Sequence, residues 1–492
     1  MKNIKLSGVF RDSKPVFAYL VLAAVTLLIS TIYSSNMFHP TLPHVDSAVF
    51  RYVALVMKRG GMMYRDAFDH KGPIIFLLNY LGMMIDYRNG IWIIEILSLY
   101  ITAVCTYQII KRFLKPVTAL IAAITVLLQL YPFIIYGGNY VEEYALPFIT
   151  GALLIYVQYF LDKRTSPVKL VICGFCFMGV LLLRPNMIGT WIVFSFAALV
   201  NELDQRSNKW ILYIVWFLTG AALLLAPILL YLKMNNALSD FFKQYIQFNA
   251  IYTGNQSDNR IHAIMHFLSM GTVFVSLIIL VIYILLDKEK DKLARIWLVY
   301  ILISLPMIAL SGREYEHYGI ILVPLSILPI SLLLRFLLER ALSRKYLFCA
   351  LLATLIALSY PYIHHNNILG SALTTDECMD GLVASFIKQN TDPDDTIIVS
   401  GTRDVIYFLS ERLAASKYSY QSPIGEMDPT IYDQTMEDVE INKPVFLVLH
   451  TYEANGTVFI KEMNRRLTEY AEKNGYTKHA EIEPFIIYWK KN

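Results

Sequence analysis

Apolar stretches recur about eleven times along this chain, over residues 16–34, 89–110, 116–135, 141–161, 169–184, 187–200, 210–232, 263–286, 296–310, 319–338 and 346–361. A hydrocarbon core about 30 Å thick takes about 20 helical residues, and a helix is one of the few structures that satisfies its own backbone groups in lipid. The composition agrees, with 56% of the 492 residues hydrophobic and 17% charged, against roughly 45–50% and 25% in a soluble protein. The fold class is therefore mostly α, a polytopic membrane protein of about eleven transmembrane helices. That excludes a cytosolic enzyme, a disordered regulator and a disulfide scaffold. A net charge of +4 gives no basis for bulk electrostatic binding of nucleic acid, and no such partner is expected.

The charge is unevenly divided. Residues 371–492 carry 12 Lys/Arg against 20 Asp/Glu, and the rest of the chain 31 against 19. An apolar, cationic body over 1–370 is thus followed by an acidic, water-soluble tail. Basic clusters such as Lys111-Arg112, Lys163-Arg164 and Arg344-Lys345 fall in alternate loops, which the positive-inside rule assigns to the cytoplasm. The expected orientation is an amino terminus inside and a tail outside the cell membrane. The first run has Lys2, Lys5, Arg11 and Lys14 before it and no small-residue cleavage site after it, so it reads as an anchor. Cys173 and Cys176 have a metal or redox spacing, but lie in an apolar run without a second pair and read as small packing residues.

The loop over 35–88 concentrates chemistry. Asp46 precedes Phe50, Val53, Ala54 and Met57, an i, i+3, i+4, i+7 pattern that predicts an amphipathic helix ending near Gly60-Gly61. An N-cap role alone would account for Asp46. The next segment, Tyr64-Arg65-Asp66-Ala-Phe-Asp69-His70-Lys71-Gly72-Pro73, places acids, bases and a histidine directly before the apolar run 73–86. That run is too short to cross and is expected to lie at the interface.

At these residues the sequence resembles the GT-C class of membrane-embedded glycosyltransferases, in particular bacterial relatives of the protein O-mannosyltransferases and of the lipid A aminoarabinose transferase. The resemblance extends to Asn139-Tyr-Val-Glu142-Glu143, Leu183-Arg184-Pro185-Asn186 and Gly312-Arg313-Glu314-Tyr315-Glu316-His317-Tyr318. It implies a polyprenyl-phosphate-linked sugar as donor and an extracytoplasmic glycan, lipid or protein as acceptor. It also implies Asp46 as catalytic base, with Lys71 and Arg184 near the lipid phosphate. Many relatives carry an adjacent acidic pair where Ser47 follows Asp46 here. Glu142 and Glu143 are the candidates for an assisting carboxylate.

Such a transfer needs a carboxylate to take the acceptor's proton and cations to stabilise the departing phosphate. Arg65 and Arg313 join Lys71 and Arg184 as candidate phosphate ligands, and Tyr64, Asp69, His70, His317 and Tyr318 as candidate sugar contacts. Each has a plainer reading: Arg184 snorkelling from the end of an apolar run, Glu142 and Glu143 as helix N-terminal carboxylates, and residues 313–318 as an aromatic belt with ion pairs. His39, His44 and Asp46, or Asp258, His262 and His266, could hold a divalent ion; no residue is assigned as a metal ligand and no cofactor is certain. Neither GxGxxG nor a Walker A pattern occurs, which suits a donor activated on a lipid.

In the tail, Leu382–Ile387 predicts an amphipathic helix, Thr396–Ser400 and Pro444–His450 buried strands, 458–474 a helix and Pro484–Trp489 a last strand. The expectation is a small α/β domain outside the membrane that binds acceptor or covers the cleft. Asn255-Gln-Ser257 and Asn455-Gly-Thr457 match glycosylation sequons, triplets that often arise by chance. Two other functions compete: a transporter or lipid flippase, which would show repeats and mid-bilayer polar residues, and a polymerase using a diphosphate-linked donor.

Overall fold

A computed structural model describes residues 15–135, 137–204, 209–254, 259–286, 291–339, 378–451 and 458–490. The run at 346–361, Asp258 and both sequons lie outside the described residues. The membrane body is helical. Its elements are α1 (Pro15–Ser30), α2 (Val45–Lys58), α3 (Pro73–Ile85), α4 (Ile91–Ile110), α5 (Pro116–Leu128), the short α6 (Tyr131–Ile134), α7 (Val141–Asp162), α8 (Pro167–Leu181), α9 (Gly189–Asp204) and α10 (Lys209–Met234). After α11 (Leu238–Phe241) and α12 (Asn249–Gly254) come α13 (Arg260–Ser269), α14 (Gly271–Leu286), α15 (Lys292–Ile308) and α16 (Ile327–Glu339). Four of these start at a proline, whose missing N–H costs nothing in the first turn and whose φ is already helical.

Six helices among the described residues are long and apolar enough to cross a membrane: Ile91–Ile110, Pro116–Ile134, Val141–Asp162, Lys209–Met234, Lys292–Ser311 and Glu316–Leu338. The protein is therefore an integral membrane protein. The expected runs 16–34, 169–184 and 187–200 are helical but shorter. The run 263–286, expected as one span, is bent by 75° between α13 and α14. Met270 leaves the helical region there, with ψ of 126°. In the run 319–338 the first half, Glu316–Ser326, winds as a 3-10 helix containing Pro324 before α16 begins. Helices α8 and α10 pack backbone to backbone: a Cβ on Gly174 would stand 1.8 Å from the Phe217 carbonyl oxygen, and one on Gly220 1.9 Å from that of Val171.

Helix α2 carries the pattern expected of it but is buried along nearly its whole length, from Ser47 to Met57. It is sandwiched between α3 and the tail. The tail holds a five-stranded sheet in the order β2-β1-β3-β5-β4, built from β1 (Thr396–Val399), β2 (Leu413–Ala414), β3 (Phe446–His450), β4 (Thr477–Ile482) and β5 (Phe485–Trp489). β1 runs parallel to β2 and β3, whereas β5 pairs antiparallel with β3 and β4. Helices over Met379–Gln389, Asp404–Ser410, Thr430–Asn442 and Val458–Asn474 accompany it. The helix at 430–442 and strand β4 had no clear signal: the first has a weak apolar face, and the second is largely exposed.

The tail docks on the loop between α1 and α4. The Tyr52 hydroxyl accepts the Ala414 N–H at 3.0 Å, the Phe68 N–H donates to the Lys417 carbonyl at 2.8 Å, and the Tyr87 hydroxyl donates to the Phe408 carbonyl at 2.6 Å. Rings reinforce this contact, with Phe68 against Tyr418 at 5.3 Å and Tyr52 against Tyr407 at 5.1 Å.

Candidate active site

Where the tail meets the loop lies a cavity of about 620 Å³. Asp46, Asp69, His70 and Lys71 enter it from the loop, Tyr140 from the start of α7, Tyr252 from α12, and Tyr315 to Tyr318 from the start of the 3-10 helix. The tail supplies Thr402, Tyr420, Pro423 and Ile424. A second cavity of about 360 Å³ adjoins it, lined by Leu183 to Asn186, Tyr245, Asn249 and Met307. His70, Lys71, Tyr252 and Tyr318 line both cavities and so form the wall between them.

The N-cap of α2 is His44, not Asp46; its ring accepts the Asp46 N–H at 3.4 Å. The capping role that would have explained Asp46 thus belongs to its neighbour. The Asp46 side chain, 37% exposed, lies 3.8 Å from Nε2 of His317. His317 is itself stacked on Tyr140, with centroids 4.6 Å apart, and on Tyr315 at 5.7 Å. Burial pushes the Asp46 carboxyl up, but Lys71, His317, His44 and Arg184 together hold it below the ordinary carboxylate value. It is ionised at neutral pH.

Lys71 is set by its own loop. Asp69, 4% exposed, accepts the Lys71 N–H at 2.7 Å, and the buried Tyr64 hydroxyl donates to the Lys71 carbonyl at 2.8 Å. The Lys71 ammonium donates to Nε2 of His70 at 2.9 Å. Burial, then Lys71 and Arg184, hold His70 well below the ordinary histidine value, which leaves the ring neutral. Burial pushes Asp69 up to about 6, against the opposing pull of Lys71. Its other oxygen is reached by the Tyr420 hydroxyl at 3.5 Å, so the tail touches this carboxylate directly.

Arg184 does not snorkel. Its side chain is 14% exposed, donates to Glu142 Oε1 at 2.6 Å, and lies with Cζ 3.8 Å from the centroid of Tyr318. Gly72 brings this segment against Lys71: a Cβ there would stand 1.9 Å from the Leu182 carbonyl oxygen. The two cations consequently share one cavity, between α3 and the link from α8 to α9.

The remaining candidates are not brought to the cavities. Successive helical residues point about 100° apart, so Glu143 turns away from Glu142 and accepts the Tyr140 N–H at 3.2 Å, capping its own helix. Arg65 is exposed, pairs with Asp66 at 2.7 Å and donates to the Asn235 carbonyl. Tyr64 is a support beneath Lys71. Arg313 lies behind the wall, with Cζ 5.6 Å from the ring of Tyr252. Tyr252, Thr402 and Tyr420 line the cavity with no local sequence signal, because nothing near them in the chain reveals what faces them. Among the described residues no group of three or more His, Cys, Asp or Glu is gathered as a metal site. His262 is bonded to Glu314.

No curated protein matches the chain in a sequence comparison. Among solved structures, ArnT from Cupriavidus metallidurans bound to undecaprenyl phosphate superposes with a TM-score of 0.64 at 10% identity, covering 96% of this chain and 98% of that one. The apo state of the same protein gives 0.57 at 9% identity over 96% and 98%. The Archaeoglobus fulgidus oligosaccharyltransferase gives 0.49 at 12% over 88% and 67%. The chain shares the fold of ArnT over almost its whole length, in line with the resemblance carried by the residues from Asp46 to Pro73. A family model described as the putative competence-induced protein Ccs4 N-terminal domain matches residues 11–347, more than half of the length, and the chain belongs to that family.

Proposed function

We propose that this protein is a glycosyltransferase that moves one sugar from a polyprenyl phosphate to a hydroxyl of an extracytoplasmic acceptor, with inversion at the anomeric carbon. The observation that carries the reading is the shared wall between the two cavities, with an ionised carboxylate on one side, Lys71 in the wall itself and Arg184 on the other side. In the proposed step Asp46 takes the acceptor's proton as its oxygen bonds to C1. The bond from C1 to the phosphate oxygen breaks, and the lipid phosphate leaves with the electron pair, beside Lys71 and Arg184. One such cation–phosphate contact at about 4 Å is worth roughly 4 kcal/mol at an effective dielectric near 20. Glu142 keeps Arg184 in place and has no separate part in the chemistry. The donor class is supported by the bound undecaprenyl phosphate in the ArnT structure, whose fold is shared.

The same reading puts both cavities and the tail on the extracytoplasmic side, with the basic loops inside, and makes the tail part of the acceptor's enclosure. The ring-rich lining, with Tyr140, Tyr252, Tyr315, Tyr318 and Tyr420, suits a sugar held by its faces. The test is direct. The full-length protein in nanodiscs is given a panel of synthetic undecaprenyl monophosphate and diphosphate sugars with a cell-envelope extract, and released lipid is followed by mass spectrometry. Undecaprenyl phosphate released from a monophosphate conjugate is expected. Consumption of diphosphate conjugates alone would replace the reading by a polymerase, and consumption of none would overturn it.

A further inference from the structure

Between α2, α3 and α7, directly beneath the larger cavity, lies a closed knot of amides and hydroxyls. Its centre is Asn139, fully buried and held at a left-handed φ of 59°, after Gly137 and Gly138 at 124° and 73°. Residues other than glycine rarely occupy this region, asparagine more often than most. The Asn139 side-chain amide donates to Ser47 Oγ at 2.9 Å and to Asn79 Oδ1 at 2.9 Å. Its carbonyl oxygen accepts from Asn79 Nδ2 at 3.2 Å and from the Tyr144 hydroxyl at 2.8 Å. Ser47 and Asn79 are buried as well.

The partners define what the knot holds. Ser47 is the residue after Asp46 on α2, whereas Asn79 belongs to α3, the helix that begins two residues after Lys71. The residue following Asn139 is Tyr140, the ring on which His317 stacks beside Asp46. One side chain therefore ties together the helix bearing the carboxylate, the helix that follows the cation, and the turn that sets the histidine. None of its atoms enters either cavity.

We propose that Asn139 is a positioning residue that fixes the distance and orientation of Asp46 relative to Lys71 and His317. This rests on the reaction proposed above for those groups. A hydrogen-bonded hub suits the task because it fixes direction as well as distance, whereas an apolar contact of equal size would let the helices slide. The consequence is electrostatic as well as geometric. Asp46 is faced by Lys71 and Asp69 from its loop, His44 from its own helix start, His317, Tyr315 and Tyr318 from the start of the 3-10 helix, Arg184 from the α8–α9 link and Tyr420 from the tail. The cations and histidines among these are what keep its carboxyl ionised, so loosening the knot weakens that hold.

The experiment compares wild type with N139G, which tolerates the backbone conformation but deletes the amide, with N139D, which keeps the shape but loses the donors, and with S47A, which removes one arm. On the undecaprenyl monophosphate sugar that wild type consumes, N139G and N139D are expected to lower kcat per folded molecule about 10- to 100-fold. KM for the donor should stay within about 3-fold. S47A should cost less, and S47A added to N139G should cost little more than N139G alone. Infrared titration of the Asp46 carboxylate, assigned by its loss in D46N, should move to higher pH in N139G. The inference is overturned if N139G and N139D turn over within 2-fold of wild type, or if activity falls only in proportion to folded protein while Asp46 titrates as in wild type. If wild type consumes no donor, the proposed reaction fails by itself. The titration then decides the role of Asn139 alone: an unmoved Asp46 overturns it, and a raised one upholds it.

Discussion

A carboxylate that lines a cavity, is relieved of capping by its neighbour and is kept ionised by two histidines and two cations is well placed to act as a base. Asp46→Asn keeps the shape of the side chain and its place in the first turn of α2. It is expected to leave membrane insertion and thermal stability near wild type while lowering turnover by about 10²-fold or more, the usual scale of general-base catalysis; near-normal release of undecaprenyl phosphate would remove Asp46 from the mechanism. Asp69 has the opposite character. Burial raises it to about 6 from an ordinary 3.8, so the folded protein holds a proton there that the unfolded chain has already lost. The stability this proton confers is complete below about pH 4 and is lost as pH rises through about 6. Thermal unfolding of Asp69→Asn should therefore lack that part of the pH dependence. Its rate profile should lose an acid limb near pH 6, since ionised Asp69 is what accepts the Lys71 N–H and the Tyr420 hydroxyl. An unchanged limb would assign it to another group.

The α2 helix, the α3 helix and the α8–α9 link decide where these groups meet. Gly72 is the closest contact between them, and Gly72→Ala would drive a methyl group into the Leu182 carbonyl. The expected outcome is a protein that still inserts but whose Lys71 and Arg184 are forced apart. KM for the lipid donor should rise about 10-fold or more, measurable as weakened binding of undecaprenyl phosphate itself. Removing Glu142's charge should be worse for stability than for binding, because a buried guanidinium would be left without its partner. Breaking such a pair commonly costs about 3–5 kcal/mol, and a Glu142→Gln protein that melts with wild type would contradict the burial of the pair. The contrast between these elements explains what the sequence revealed. The stretch from Asp46 to Pro73 was legible because its acids, bases and glycine lie within one loop and a helical period separates them. Glu142 and Glu143 were indistinguishable as a string, since the 100° between them has meaning only once Arg184 is folded against one of the two. Tyr252, Thr402 and Tyr420 were invisible, because the faces they complete are contributed by residues tens to hundreds of positions away.

Over the whole molecule, the body and tail close one enclosure. Apolar periodicity and the fall in hydrophobicity after residue 370 marked both parts, yet neither says that a tail sheet will rest on a loop near the start of the chain. That contact uses backbone groups and aromatic rings whose partners can be known only in three dimensions. A chain ending near Ser371 is expected to insert into the membrane but to release less than a tenth of the wild-type undecaprenyl phosphate, having lost Thr402, Tyr420, Pro423 and Ile424 from the cavity. Full activity in such a chain would leave the tail without a part in the reaction. The milder change Tyr420→Phe should lower Asp69's link to the tail without removing the roof, and so should cost only a few-fold.

The docking of Lys417 on Phe68 and of Ala414 on Tyr52 spans about 350 residues of chain. A ribosome delivers the two ends of that contact at different times. Tyr52, Phe68 and Tyr87 emerge early, whereas the surfaces that cover them are made near the end of synthesis. During that interval these rings face water or a chaperone, and the enclosure is still open. On the proposed reaction the enclosure is complete only once the tail has docked, and a copy stalled or clipped before the tail would leave these rings uncovered.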